Sequence, residues 1–125
     1  MKRMSKGLCS KVKTNPYAYE IVDRTIGLKL DLVEDRVNIL IFRKRYDNQA
    51  GYIFVVCDDI IDEEKFKKFY KSYSEFVKEV AGGIFKEVEL VLVANEIDAN
   101  VKQIIDKYNE SYVERKPIRY MLTME

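Results

Sequence analysis

Between Gly51 and Ala94 the chain reads as strand, helix, strand, and no other stretch limits its fold as strongly. Gly51-Tyr-Ile-Phe-Val-Val-Cys57 is apolar on both faces, and Val88-Glu-Leu-Val-Leu-Val-Ala94 is nearly so. Strands look like this when both faces of their sheet are covered. The segment from Asp62 to Ala81 is too long for a hairpin and carries a helix period. Phe66, Phe69, Tyr70, Tyr73, Phe76, Val77 and Val80 recur at intervals of three and four, with Lys67, Lys68, Lys71, Glu75, Lys78 and Glu79 on the other side. The sequence therefore predicts two adjacent parallel strands joined by a right-handed crossover. Phe69, Tyr73, Phe76 and Val80 are expected to be buried against them. The aromatic stripe is read as cover for the sheet rather than as a ligand box. Asp62, Glu63 and Glu64 suit the positive end of the helix dipole, and Gly82-Gly83 supplies a left-handed stop.

The remaining elements fall around this unit. Residues 1–14 read as a basic, flexible arm, and residues 15–125 as one α/β domain. Asn15 is placed to cap a helix with Pro16 at its first position, ending near Gly27. Ile26, Leu28, Leu30 and Leu32 then alternate with other residues, which predicts a strand. A turn is expected at Glu34-Asp35, followed by a strand from Val37 to Phe42 with Val37, Ile39 and Ile41 on one face. Tyr46 to Gly51 has loop chemistry. After Ala94, Asp98 or Asn95 is placed to cap a third helix with Ile97, Val101, Ile104, Ile105 and Tyr108 inward. Pro117 opens a last strand, which suggests a sheet edge. The expected fold is a mixed five-stranded sheet, an antiparallel meander followed by parallel crossover strands, with helices on both faces.

Composition narrows the chemistry. With 125 residues, 47% of them hydrophobic, the chain suits one domain with a real core. No run reaches the roughly 18 apolar residues of a membrane span, and the basic start lacks a signal-peptide core. The two cysteines, Cys9 and Cys57, make no disulfide framework, which points to a reducing, cytoplasmic setting. There is no histidine, so Ser-His and Cys-His pairs and histidine zinc sites are excluded. Abundant lysine, glutamate and isoleucine with scarce glutamine give the composition a thermophile-like cast. No glycine-rich phosphate loop or dinucleotide fingerprint is present.

The order helix, three strands, helix, strand, helix, strand resembles the core of the restriction-endonuclease-like, PD-(D/E)XK-type nuclease superfamily from Pro16 onward. The resemblance implies an Asp near the start of the second strand, where Asp35 is tolerably placed. It also implies an acidic residue on the first helix, for which Glu20 stands, and an acidic-X-Lys triplet on the third strand. Those carboxylates would hold a divalent cation, and the lysine would activate or stabilise the attacking water. The third strand reads Tyr52-Ile-Phe-Val-Val-Cys57 and holds neither carboxylate nor lysine. The resemblance therefore implies a degenerate member or a binding relative.

Two sets of residues are candidate sites. Ligands of open α/β sheets favour the carboxyl ends of parallel strands, and there stand Asp58, Asp59 and Glu96, with Asn95 and Asp98 beside them. Oxygen ligands of this kind suit Mg2+ or Mn2+, although capping of the following helices explains nearly all of them without a ligand and is the favoured reading. The second set is basic. Arg43, Lys44 and Arg45, together with Lys2, Arg3, Lys6, Lys11 and Lys13 of the arm, suit a nucleic-acid backbone. A charged strand end also guards against aggregation, and a sheet edge offers a route to a homo-oligomer. The leading expectation is a non-catalytic interaction or nucleic-acid-associated module with no cofactor, bound to nucleic acid or protein and not to membrane. The alternative is a divalent-metal-dependent, nuclease-like enzyme that uses Mg2+ or Mn2+ at the strand ends.

Overall fold

The structure is a computed structural model, and it describes residues 29–45 and 51–122. The basic arm, the helix expected over 15–27, Cys9 and the loop residues 46–50 lie outside the described residues. Five strands form one mixed sheet in the order β1-β2-β3-β4-β5. They are β1 (Lys29–Arg36), β2 (Ile39–Arg45), β3 (Tyr52–Ile61), β4 (Val88–Ile97) and β5 (Arg119–Leu122). The first three pair antiparallel, and β3-β4 and β4-β5 pair parallel. Helix α1 (Glu63–Ala81) makes the first crossover and α2 (Ala99–Ser111) the second. The expected meander and parallel crossovers are thus present.

Alternation along β3 divides the core into two layers. Phe54 and Val56 face α1 and α2 and join Leu90 and Leu92 of β4 in one cluster. Ile53, Val55 and Cys57 face the other way with Leu40, Val91 and Val93, and these are buried as well. Both described helices cover the first face, where Phe66, Phe69, Tyr73, Phe76 and Val77 of α1 meet Val101 and Ile105 of α2. The caps follow the sequence. Asp62 accepts a hydrogen bond from the Lys65 amide at 2.8 Å, and Gly82 ends α1 at φ 58°. Only glycine takes that conformation without cost.

Four expectations need correction. The tight turn is not at Glu34-Asp35. β1 runs to Arg36 and the turn is Val37-Asn38, with Asn38 at φ 66°. Asn38 tolerates this left-handed conformation, and its side chain donates to the Cys57 carbonyl at 2.7 Å. Val37 is therefore 88% exposed rather than inward. A register shift between Leu32 and Glu34 lets the two strands close around this later turn. Val80, expected in the core, is 41% exposed. Phe76, one turn earlier, already packs on Tyr52, the first residue of β3, so the last turn of α1 has passed the end of the strand. Ile97 belongs to β4 rather than to the third helix. β3 and β4 are also each three or more residues longer than expected, which changes the acidic site.

β5 is the outermost strand, as expected. It is held by Asn109, whose side chain accepts from the Ile118 amide at 2.8 Å and donates to the Ile118 carbonyl at 3.1 Å. Tyr120 and Leu122 stay partly exposed because their strand has a neighbour on one side only.

Candidate functional site

The sheet has a basic end and an acidic end, and the register fixes which is which. Arg43 pairs with Tyr52, and Tyr52 pairs with Val88. The end of β2 therefore lies beside the starts of β3 and β4. Lys44 and Arg45 continue β2 opposite Leu30 and Lys29. Arg43 is exposed. The opposite end carries the Val37-Asn38 turn, the last residues of β3 and β4, and the start of α1. The five basic residues of the arm lie outside the described residues, so the structure joins only part of that predicted set.

The acidic candidates sit at the other end, but each is engaged by a different partner. β3 continues through Asp58 and Asp59 to Ile61, in register with β4 from Ala94 to Ile97. Asp58 is drawn towards α1, but the alternation of faces does not run on to the strand ends, where Ile61 and Ile97 join the same helix-covered cluster as Val56 and Ala94. Lys65 in the first turn of α1 stands 3.5 Å from Asp58, and the Asn95 amide donates to Asp59 at 2.6 Å. Glu96 is exposed, opposite Ile60. Among the described residues, no three acidic or thiol groups converge as metal ligands. None of Asp58, Asp59, Asn95 or Glu96 is a helix cap. Asp62 and Asp98 occupy the two N-cap positions, and only Asp62 bonds through its side chain. Asp35 lies near the end of β1, opposite Leu40, and not at the start of the second strand.

Two features were not visible in the sequence. Glu89, on β4, is buried at 6% exposure and forms an ion pair with Arg119 of β5. Within an almost wholly apolar strand it had read as a minor interruption. The second feature is an aromatic cluster around Arg115, at the basic end. A 3-10 turn (Phe85–Glu87) leads into β4, and the chain after α2 returns beside it. The Arg115 guanidinium carbon lies 3.9 Å from the Phe85 ring centroid and 4.2 Å from that of Tyr112. Its Nη1 donates to the Tyr70 and Tyr108 hydroxyls at 3.2 and 3.3 Å.

Burial pushes the Tyr70 hydroxyl up to about 12, with the Tyr108 hydroxyl adding to the shift and Arg115 opposing it. Tyr73 is raised further, again chiefly by burial, and it donates to the Val88 carbonyl at 2.9 Å. For Arg115, burial by itself would weaken protonation. The Tyr108 and Tyr70 hydroxyls outweigh it and hold the group above its ordinary value. Tyr70 and Tyr73 are therefore neutral beside a fixed cation at any physiological pH. A cleft of about 720 Å3 opens beside it, between residues 83–86 and 111–115. The hint in the sequence was Tyr108 in the last turn of α2 with Tyr112 and Arg115 after it, but Phe85 comes from a distant loop.

These features define a mixed α/β domain whose antiparallel hairpins lead into a parallel crossover unit. The fold matches the solved structure of EndoMS in its apo form with a TM-score of 0.56 at 18% sequence identity. The match covers 97% of this chain and 47% of that one, so the chain spans about half the length of its structural neighbour. At this identity the likeness shows the fold. No protein-family model matches the chain, and no curated protein matches it in sequence. Among the described residues, no helix is long and apolar enough to cross a membrane.

Proposed function

We propose that this chain is a small, cytoplasmic, non-catalytic nucleic-acid-associated module, a relative of the nuclease fold that holds a phosphate backbone at the basic end of its sheet. The observation that carries the reading is the centre of β3. Where the nuclease pattern puts an acidic residue and a lysine, Ile53, Phe54, Val55, Val56 and Cys57 are all wholly buried and apolar. Groups that activate water must reach water and substrate, and these positions serve packing instead. The fold likeness to EndoMS, an endonuclease by its name, supports nucleic acid over protein as the partner. Arg43, Lys44 and Arg45 supply the cations where the sheet ends, and Lys2, Arg3, Lys6, Lys11 and Lys13 extend them along the sequence.

Contacts of this kind go to phosphates and carry little sequence preference. Fluorescence anisotropy with labelled oligonucleotides at low salt is the test. Binding should weaken steeply with salt. Changing Arg43, Lys44 and Arg45 together to Gln should flatten the slope of log affinity against log salt by about 2, at roughly 0.7 for each single-strand phosphate no longer neutralised. A chain that binds no oligonucleotide at low salt, or a triple variant with an unchanged slope, removes the proposal.

A further inference from the structure

The cleft beside Arg115 has no part in a grip on phosphates alone. Its walls come from two loops that the fold brings together, Gly83–Lys86 after α1 and Ser111–Arg115 after α2. Tyr112 is the informative residue. One side of its ring lies against the Arg115 guanidinium, and Tyr108 packs against it at 4.9 Å between centroids. Yet Tyr112 is 47% exposed, so about half of the residue is open to solvent. Arg115 is itself tied to Tyr70 and Tyr108, so the ring is fixed before any ligand arrives. A preorganised aromatic platform loses little entropy when something stacks on it.

The rest of the cleft narrows the ligand class. Ile84 and Val113 give it apolar surface, while Ser111, Lys86 and Glu114 give it polar edges. A ligand with flat apolar faces, a hydrogen-bonding rim and a negative charge fits that set. The volume is ample for one nucleotide. Position adds a further argument. The turn that carries Phe85 and Lys86 runs directly into Val88, two strands away from Arg43, a lateral distance of about 10 Å.

We infer that this cleft binds an unpaired nucleotide, with its base stacked on Tyr112 and its phosphate beside Lys86. The inference rests on the nucleic-acid reading above and deepens it, because it selects single strands. Base-on-aromatic stacking tolerates any base, whereas a duplex keeps its bases inside the stack, out of reach of Tyr112. Ser111 and Glu114 stand where a base edge would meet hydrogen-bonding groups.

The experiment is anisotropy with a labelled oligothymidylate and with a labelled duplex of equal length, on the intact chain. The single strand should bind at least tenfold tighter. Tyr112→Ala should weaken single-strand binding by about 5- to 100-fold and leave duplex binding unchanged. Tyr112→Phe keeps the ring and should stay within about twofold of the parent, which separates stacking from the hydroxyl. Lys86→Ala should weaken the single strand by a few-fold. Each variant is melted first, and Tyr112→Phe with Lys86→Ala suffices if Tyr112→Ala does not fold. Competition by thymidine monophosphate, with none by inorganic phosphate, would show that the site takes a free nucleotide. Competition by oligothymidylate alone would assign it to a strand.

Single-strand binding that survives Tyr112→Ala and Lys86→Ala but is lost on neutralising Arg43, Lys44 and Arg45 overturns the cleft and leaves the backbone grip standing. Equal affinity for strand and duplex, or equal losses in Tyr112→Phe and Tyr112→Ala, overturns it too. Failure of the parent chain to bind either probe overturns both.

Discussion

Phe76 and Val80 sit one helical turn apart on α1, and they meet different surroundings. Phe76 is 4% exposed, with ring neighbours Tyr52 at 5.4 Å and Phe54 at 5.7 Å. Val80 lies beyond the start of β3 and is 41% exposed. The periodicity in the sequence gives both residues the same stripe, because a helical period records the face of a helix and not the length of the sheet beneath it. Phe76→Ala should cost roughly 3–5 kcal/mol, through the transfer energy of the removed ring and a cavity between α1 and β3. Val80→Ala should stay within about 0.5 kcal/mol, as expected for a surface position. Urea unfolding of the two variants checks this, and similar losses would show that the end of α1 is packed more tightly than its exposure indicates. Glu89 teaches the same lesson in reverse. It is the one carboxylate among the buried residues of β4, and only the neighbouring strand, which brings Arg119, shows how its charge is held in the interior.

At the scale of elements, α1 and the parallel pair were legible because their patterns are long. Nineteen helical residues with one aromatic face admit few other readings. The β1-β2 turn was not legible, because two acidic residues at Glu34-Asp35 resemble a turn as much as Val37-Asn38 does. The deciding signal was Asn38, the residue type that best tolerates the left-handed conformation after glycine. Asn38 also ties the hairpin to β3: its side chain donates to the Cys57 carbonyl, and its own carbonyl accepts from the Cys57 amide at 2.9 Å. These two roles separate by substitution. Asn38→Gly keeps the backbone conformation and loses one hydrogen bond, a cost of about 0.5–1.5 kcal/mol. Asn38→Ala loses the bond and forces a side chain to positive φ, so it should cost about 1–2 kcal/mol more than the glycine variant. Thermal melts of both variants measure the gap, and a glycine variant no more stable than the alanine one would mean that the turn conformation contributes nothing. The ends of β3 and β4 were missed for a related reason. Asp58-Asp59 and Asn95-Glu96 read as the ends of strands, but the Asn95–Asp59 hydrogen bond and the backbone ladder carry both strands onward.

Over the whole molecule, charge is distributed along the strand direction. The helices begin at the acidic end, where Asp62, Glu63 and Glu64 complement the dipole of α1, and they finish at the end that holds Arg43, Lys86 and Arg115. This arrangement explains why the sequence exposed the two candidate sets and hid the cleft. Runs of like charge are visible in a sequence, whereas Phe85, Tyr112 and Arg115 come together only through the fold. The acidic end also bears on catalysis. A hydrolytic Mg2+ site needs several oxygen ligands converging in near-octahedral geometry. Asp58 is drawn towards Lys65 of α1, Asp59 is held by Asn95 of β4, and Glu96 projects into solvent. To bind one ion, Asp58 would have to leave a cation and Asp59 would have to give up its hydrogen bond from Asn95. Addition of Mg2+ or Mn2+ should therefore leave the melting temperature unchanged, since an ion with no preference for the folded state adds no stability. Purified protein should cleave neither DNA nor RNA with either ion. Lys65→Met frees Asp58 of its cation and should still produce no metal-dependent stabilisation, because Asp59 remains bound to Asn95 and Glu96 still faces solvent. Metal-dependent cleavage that disappears in Asp58→Asn or Glu96→Gln, with the fold intact by melting, would make the acidic end an active site and the protein an enzyme.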